Sequence, residues 1–118
     1  MAFHNELGKE GEQMAIKWLK EKGYEILHVN WRYSYFEIDI IAKKEEKLHF
    51  VEVKARQGNK FGNPEDSVTK KKFKRLQKAA DEFLFLNPGH KWIQYDILAI
   101  TLFKDRLTEY FLLEDVFL

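Results

Sequence analysis

Residues 36–56 carry two runs rich in β-branched and aromatic side chains. The runs, residues 36–42 and 48–56, are separated by Lys43-Lys44-Glu45-Glu46-Lys47. Such a pattern predicts a β-hairpin with a short charged turn. Strand alternation puts Ile38, Ile40 and Ala42 on one face of the first strand and Glu37, Asp39 and Ile41 on the other. On the second strand Val51, Val53 and Ala55 share a face, opposite Phe50, Glu52, Lys54 and Arg56. Upstream, Leu7, Met14, Ala15, Trp18 and Leu19 form an apolar stripe at helical spacing. They predict a helix capped by Asn5, running to about Lys22 and stopped by Gly23. Tyr24 to Val29 predicts a strand, and Asn30-Trp31-Arg32-Tyr33-Ser34-Tyr35 an aromatic turn.

Downstream of the hairpin, residues 57–64 have loop composition. A helix capped by Asp66 or Ser67 is predicted to run to about Leu86, burying Val68, Phe73, Leu76, Ala80, Phe83 and Leu84. Asn87-Pro88-Gly89 turns the chain. Residues 92–101 and 107–113 predict two more strands around Lys104-Asp105-Arg106. The 118 residues fit one domain, residues 1–118, and the 45% hydrophobic content supplies its core.

A net charge of +1 excludes a globally basic nucleic-acid binder, so any such surface is a local patch. The chain contains no cysteine, which removes disulfides and thiolate metal sites. No apolar run reaches the ~20 residues that a membrane span needs, and the first residues lack a signal-peptide pattern. The expectation is a cytoplasmic protein without a membrane partner.

Asp39, Glu52 and Lys54 interrupt apolar strands. Buried charges are costly unless paired or ligating a metal. Three on adjoining strands suggest a site, with Glu12 a fourth candidate. Hard oxygen donors suit Mg²⁺ or Mn²⁺, and a lysine two residues beyond a glutamate points to the same side of its strand. Ligands, a positioned nucleophile and a cation are what phosphodiester hydrolysis requires. The plainer readings are an edge-strand charge pattern for the acid-x-Lys motif and a solvated helix carboxylate for Glu12. Gly8 and Gly11 weaken a helix interior by ~1 kcal/mol each, which is expected where something approaches the backbone closely.

Lys70, Lys71, Lys72, Lys74, Arg75 and Lys78 put six cations in nine residues without an acid. That run is either a solvated helix face or a grip on phosphate backbone. Trp31 and Arg32 are either a packed ring with its guanidinium or a nucleic-acid contact. Asp96, also in an apolar strand, either pairs with a basic side chain or supports the site. His4, His28, His49 and His90 show no zinc-ligand spacing.

Several linked motifs occur in order: Gly8-x-x-Gly11-Glu12-x-x-Ala15, Asn30-Trp31-Arg32, Glu37-Ile38-Asp39-Ile40-Ile41-Ala42, Phe50-Val51-Glu52-Val53-Lys54-x-Arg56, Phe61-Gly62-x-Pro64 and Val68-x-x-x-Lys72. Through them the chain resembles the YraN-like family of small bacterial proteins. That family is similar to the restriction-endonuclease-like superfamily and its archaeal Holliday junction resolvases. The resemblance implies a three-layer α/β fold, with a central mixed sheet of about five strands flanked by helices.

It also implies Asp39 and Glu52 as metal ligands with the Val53 carbonyl, Lys54 as the catalytic lysine, and Glu12 as an acid reaching in from the first helix. Arg32, Arg56, Lys70, Lys71, Lys72, Lys74 and Arg75 are the candidate nucleic-acid contacts, with DNA ahead of RNA as the expected partner. Junction-cutting relatives imply a homodimer. Two departures stand out: Phe36 occupies a position where the family usually has glycine, and Gln94-Tyr95-Asp96 stands where it tends to have Arg-Phe-Asp. A binding-only module and a protein–protein adaptor are the alternative functions, since a fold does not establish activity.

Overall fold

The computed structural model describes residues 2–58 and 68–117, with side chains from residue 8 onward. Helix α1 (Ala2–Glu21) is followed by strands β1 (Glu25–Tyr33), β2 (Phe36–Lys44) and β3 (Lys47–Gln57). Helix α2 (Lys70–Leu86) then leads to β4 (Trp92–Leu102) and β5 (Glu109–Leu113). The five strands lie in the sheet in chain order. The β1–β2, β2–β3 and β4–β5 pairs are antiparallel and β3–β4 is parallel. A parallel neighbour requires a crossover, which contains α2. Helices α1 and α2 cover opposite faces of the sheet, each with its own apolar cluster. The result is the three-layer α/β arrangement with a five-stranded mixed sheet that the motifs imply.

Helix α1 stops where expected. Gly23 takes φ +93°, and the Tyr24 and Gly23 amides donate to the carbonyls of Leu19 and Lys20 at 3.0 and 3.1 Å. This closure needs a left-handed residue after the helix. Its start differs, because the helix already runs from Ala2 and Asn5 lies inside it. The α1 face buries Ala15 and Leu19 against Ile40, Ala42, Val51, Leu98 and Ile100. Gly11 makes the closest approach: a Cβ there would lie 2.7 Å from the Ala55 Cβ, whereas one at Gly8 would meet nothing within 4 Å. Close approach to the sheet thus explains one of the two glycines.

Helix α2 begins at Lys70, and its N-cap is Thr69, whose hydroxyl accepts the Lys72 amide at 3.2 Å. The caps expected at Asp66 or Ser67, and most of the 57–64 loop with its Phe61-Gly62-x-Pro64 motif, lie outside the described residues. Phe73, Leu76, Ala80 and Phe83 are buried as the periodicity predicts, joined by Ala79.

The expected turn at residues 30–35 is mostly strand. Trp31, Arg32 and Tyr33 pair with Ile38, Glu37 and Phe36, leaving Ser34-Tyr35 as the loop. Trp31 extends the strand because its ring packs edge-on against Phe83 at 5.4 Å. The charged turn contracts to Glu45-Glu46, both at positive φ, between paired Lys44 and Lys47. This geometry matches the twist of flanking strands.

Alternation in β2 breaks at Asp39. Ile38 and Ile41 pack in the α2 cluster, whereas Ile40 and Ala42 pack in the α1 cluster. The expected shared face of Ile38, Ile40 and Ala42 is therefore corrected. The register leaves Asn30 opposite Asp39, between the Val29↔Ile40 and Trp31↔Ile38 pairs, and Asn30 takes φ +53°. The irregularity thus falls at facing positions of the two strands.

Candidate functional site

The β2–β3 pairing runs from Lys44↔Lys47 to Ile40↔Val51. Just beyond that last pair, the Val53 amide donates to the Asp39 carboxylate at 2.8 Å instead. β3 keeps its full parallel ladder to β4 on the other side. The side chain of Asp39 therefore does the work of a backbone acceptor, and the two strands part around it.

Asp39, Glu52, Val53 and Lys54 line one cleft of about 330 Å³. One rim is the β1–β2 hairpin tip, with Tyr35, Phe36 and Glu37. The other is the start of α2, with Lys72, Arg75 and Leu76. Glu52 and Lys54 share the α2 side of β3 with the buried Phe50, as alternation predicts.

The site's electrostatics follow from crowding. Burial first, then the hydrogen bond and charge of Glu52, push the Asp39 carboxyl up from 3.8 to about 8. The Val53 amide and the Lys54 ammonium act the other way. Two carboxylates at hydrogen-bond reach cannot both ionise without cost, so Asp39 holds its proton well above the usual carboxylate range. Acids serving separate structural pairs would not show this arrangement. Lys72 is held below its ordinary value of 10.5, chiefly by the neighbouring Lys54 charge.

The remaining candidates are placed as follows. Glu12 does not line the cleft. It accepts a 2.6 Å hydrogen bond from Asn30, directly opposite Asp39. Burial raises its pKa, Asn30 opposes this, and the Asp39 and Glu37 charges raise it further. It is thus electrostatically linked to the site across the sheet. Arg32 pairs with Glu37 at 3.3 Å, its side chain 73% exposed. Arg56 is half-buried further along β3, away from the cleft lining. Lys70, Lys71 and Lys74 are exposed on α2. Trp31 is a packed core ring. Phe36 packs against the α2 cluster under the Lys78 ammonium, 5.8 Å from its ring centre, and forms part of the cleft wall.

Asp96 has a structural partner that histidine spacing did not reveal. His49 Nδ1 lies 2.6 Å from Asp96 Oδ2, with both side chains buried. Gln94 Nε2 and the Asp115 amide donate to Oδ1 at 2.9 and 3.0 Å. Gln94 thus supports Asp96. Glu114 brings a third acidic or imidazole ligand atom within 4.8 Å of the other two. Both Asp96 oxygens are nonetheless engaged by its own chain, and the group reads as a clasp. It holds the segment after β5, where the Val116 amide also donates to the Tyr95 carbonyl at 2.7 Å. The signal missed in the sequence was His49 on β3 facing the β4 region that contains Asp96; it becomes visible only once the parallel register is known.

A larger opening, at the far ends of β3 and β4 around Gln57, Gly58 and Phe103, is lined by none of the candidate catalytic residues. Among the described residues, no helix is long and apolar enough to cross a membrane.

Fold and site define a three-layer α/β protein with a carboxylate-pair-and-lysine cleft facing a cationic helix. The chain belongs to the uncharacterised protein family UPF0102, which it matches over residues 11–100; this is the YraN-like group its motifs resemble. It is similar to the UPF0102 protein FP2501 of Flavobacterium psychrophilum, 45% identical over 106 residues, covering 90% of this chain and 87% of that one. A UPF0102 protein of Bacteroides thetaiotaomicron is 46% identical over 100 residues, covering 85% and 83%. One from Syntrophomonas wolfei is 40% identical over 99 residues, covering 83% and 86%.

Proposed function

We propose that the cleft is a divalent-cation-dependent phosphodiesterase site acting on the backbone of structured nucleic acid. The observation that carries this reading is the convergence of Asp39, Glu52 and Lys54 in one cleft opposite Lys72 and Arg75. The donor set fits a hard cation, because two crowded carboxylates, with Asp39 holding a proton, can exchange that proton for Mg²⁺ or Mn²⁺. Asp39 and Glu52 would hold the ion, with the Val53 carbonyl as the implied third donor. When bound, such an ion supplies charge neutralisation at phosphate and a more acidic water.

The other steps belong to the chain. Lys54 orients the attacking water and offsets charge developing on a phosphoryl oxygen. Lys72 and Arg75 grip the phosphate from the α2 rim. Lys70, Lys71 and Lys74 extend the positive field along the helix, steering a polyanion toward the cleft. The Val53 amide fixes the orientation of Asp39.

The test is a panel of linear, flapped and branched DNA and RNA incubated with Mg²⁺ or Mn²⁺. Wild type is expected to cut at least one substrate, and Asp39→Ala, Glu52→Ala and Lys54→Ala to lose that activity while remaining folded. Cleavage that survives the first two substitutions defeats the assignment. A binding-only reading has its own support in the exposed cations of α2. It predicts salt-sensitive binding that weakens on neutralising Lys71 and Lys74, with no cleavage of any substrate.

A further inference from the structure

The β1–β2 loop does not follow the usual turn chemistry. Two-residue hairpin loops with positive φ at the first position favour glycine there. This chain places Ser34 at φ +56°, followed by Tyr35, between paired Tyr33 and Phe36. Tyr35 is 97% exposed. Neighbouring rings are used internally: Trp31 packs on Phe83, and Phe36 lies against the α2 cluster. Local rules are broken most often where function requires it.

The position of the loop gives the exposed ring a role. Tyr35 lines the same cleft as Asp39, Glu52 and Lys54, on the rim facing Lys72 and Arg75. The two rims differ in charge. The α2 rim offers cations, whereas the hairpin rim offers Tyr35 and Glu37, whose carboxylate is already paired with Arg32. A phosphate is therefore drawn to the α2 rim, and the base attached to it falls on the hairpin rim. An aromatic ring takes a base by stacking, which is tolerant of sequence because every base has a π-face. Bases inside a duplex are already stacked on their neighbours, so the ring face must come from an unpaired nucleotide.

We infer that Tyr35 is a stacking platform for an unpaired nucleobase beside the phosphate held in the cleft. The substrate class is then a nucleic acid with an unpaired nucleotide at that position, such as a flap, bulge or single strand. This rests on the phosphodiester reading of the same cleft, yet its test needs no cleavage.

Oligonucleotides carrying 2-aminopurine in a single strand, at a flap and within a full duplex are titrated with the protein in EDTA. Wild type is expected to quench the unpaired probe and to prefer unpaired over paired oligonucleotides. Tyr35→Ala is expected to abolish the quench and shrink the preference about tenfold, within the range of base–aromatic stacking. Tyr35→Phe and Tyr35→Trp are expected to retain both. Circular dichroism checks that the variants fold. Tyr35→Ala binding and quenching like wild type, while Lys72→Ala and Arg75→Ala bind more weakly, overturns the platform and leaves the cleft reading intact. Failure of wild type to bind any of the oligonucleotides, in EDTA and again with Ca²⁺ supplied as the divalent ion, overturns both.

Discussion

Replacing Asp39 by asparagine keeps the acceptor for the Val53 amide but removes the charge set against Glu52. In the wild type, burial beside Glu52 moves the Asp39 carboxyl from 3.8 to about 8. Between those two pH values the folded chain retains a proton that the unfolded chain has released. Stability therefore falls as the pH rises through that window. The asparagine variant is free of this loss. At about 1.4 kcal/mol per pH unit of displacement, reduced by solvent entering the cleft, it should gain about 2 kcal/mol above pH 8. For a chain of this size that is a rise in Tm of about 8 °C. Near pH 4 the two proteins should unfold at similar temperatures. Thermal and urea unfolding followed by circular dichroism from pH 4 to 9 measures the difference. Mg²⁺ supplies a second arm. It should stabilise the wild type by about 1.4 kcal/mol at ten times its Kd, release a proton on binding, and leave the variant unchanged. A variant no more stable at pH 8.5 than at pH 4, relative to wild type, would refute the crowded-carboxylate account.

Two further substitutions probe the frame around the site. Gly11→Ala brings a methyl group to 2.7 Å from the Ala55 Cβ. Overpacking of about 1–3 kcal/mol should outweigh the ~1 kcal/mol of helix propensity gained, for a net loss of about 1 kcal/mol in urea unfolding. Adding Ala55→Gly should recover most of it, and a Gly11→Ala protein as stable as wild type would contradict the close approach. Asp96→Ala strands His49, Gln94 and the Asp115 amide. It should cost about 3 kcal/mol and speed hydrogen exchange at Asp115 and Val116; a loss under about 1 kcal/mol would show that the clasp holds little.

The acids and the lysine of the site were legible because charge in an apolar strand stands out against its neighbours. Glu52 and Lys54 follow alternation simply, since β3 keeps a complete ladder with β4. Asp39 does not: the amide it accepts belongs to the partner strand, and the resulting change of face at Ile38 leaves no mark in the local pattern. Trp31 read as a turn residue because Asn30 beside it suggests one. Its strand conformation comes from Phe83, more than fifty residues away. Gly11 carried a true signal of close packing, whereas Gly8, with the same composition cue, meets nothing. The cap of α2 falls to Thr69, whose hydroxyl accepts the Lys72 amide directly after the buried Val68.

Every strand of the sheet is bonded to its neighbour in the chain. Short loops close β1–β2 and β2–β3, so these pairings need little chain entropy, while β3–β4 must wait for the long crossover through α2. These loop lengths predict an order in time: the N-terminal meander zips first and sets Asp39 beside Glu52 while Lys72 and Arg75 are still on a free segment. Docking of that segment is the late step, so substitutions on α2 should chiefly accelerate unfolding, while those in the meander slow refolding.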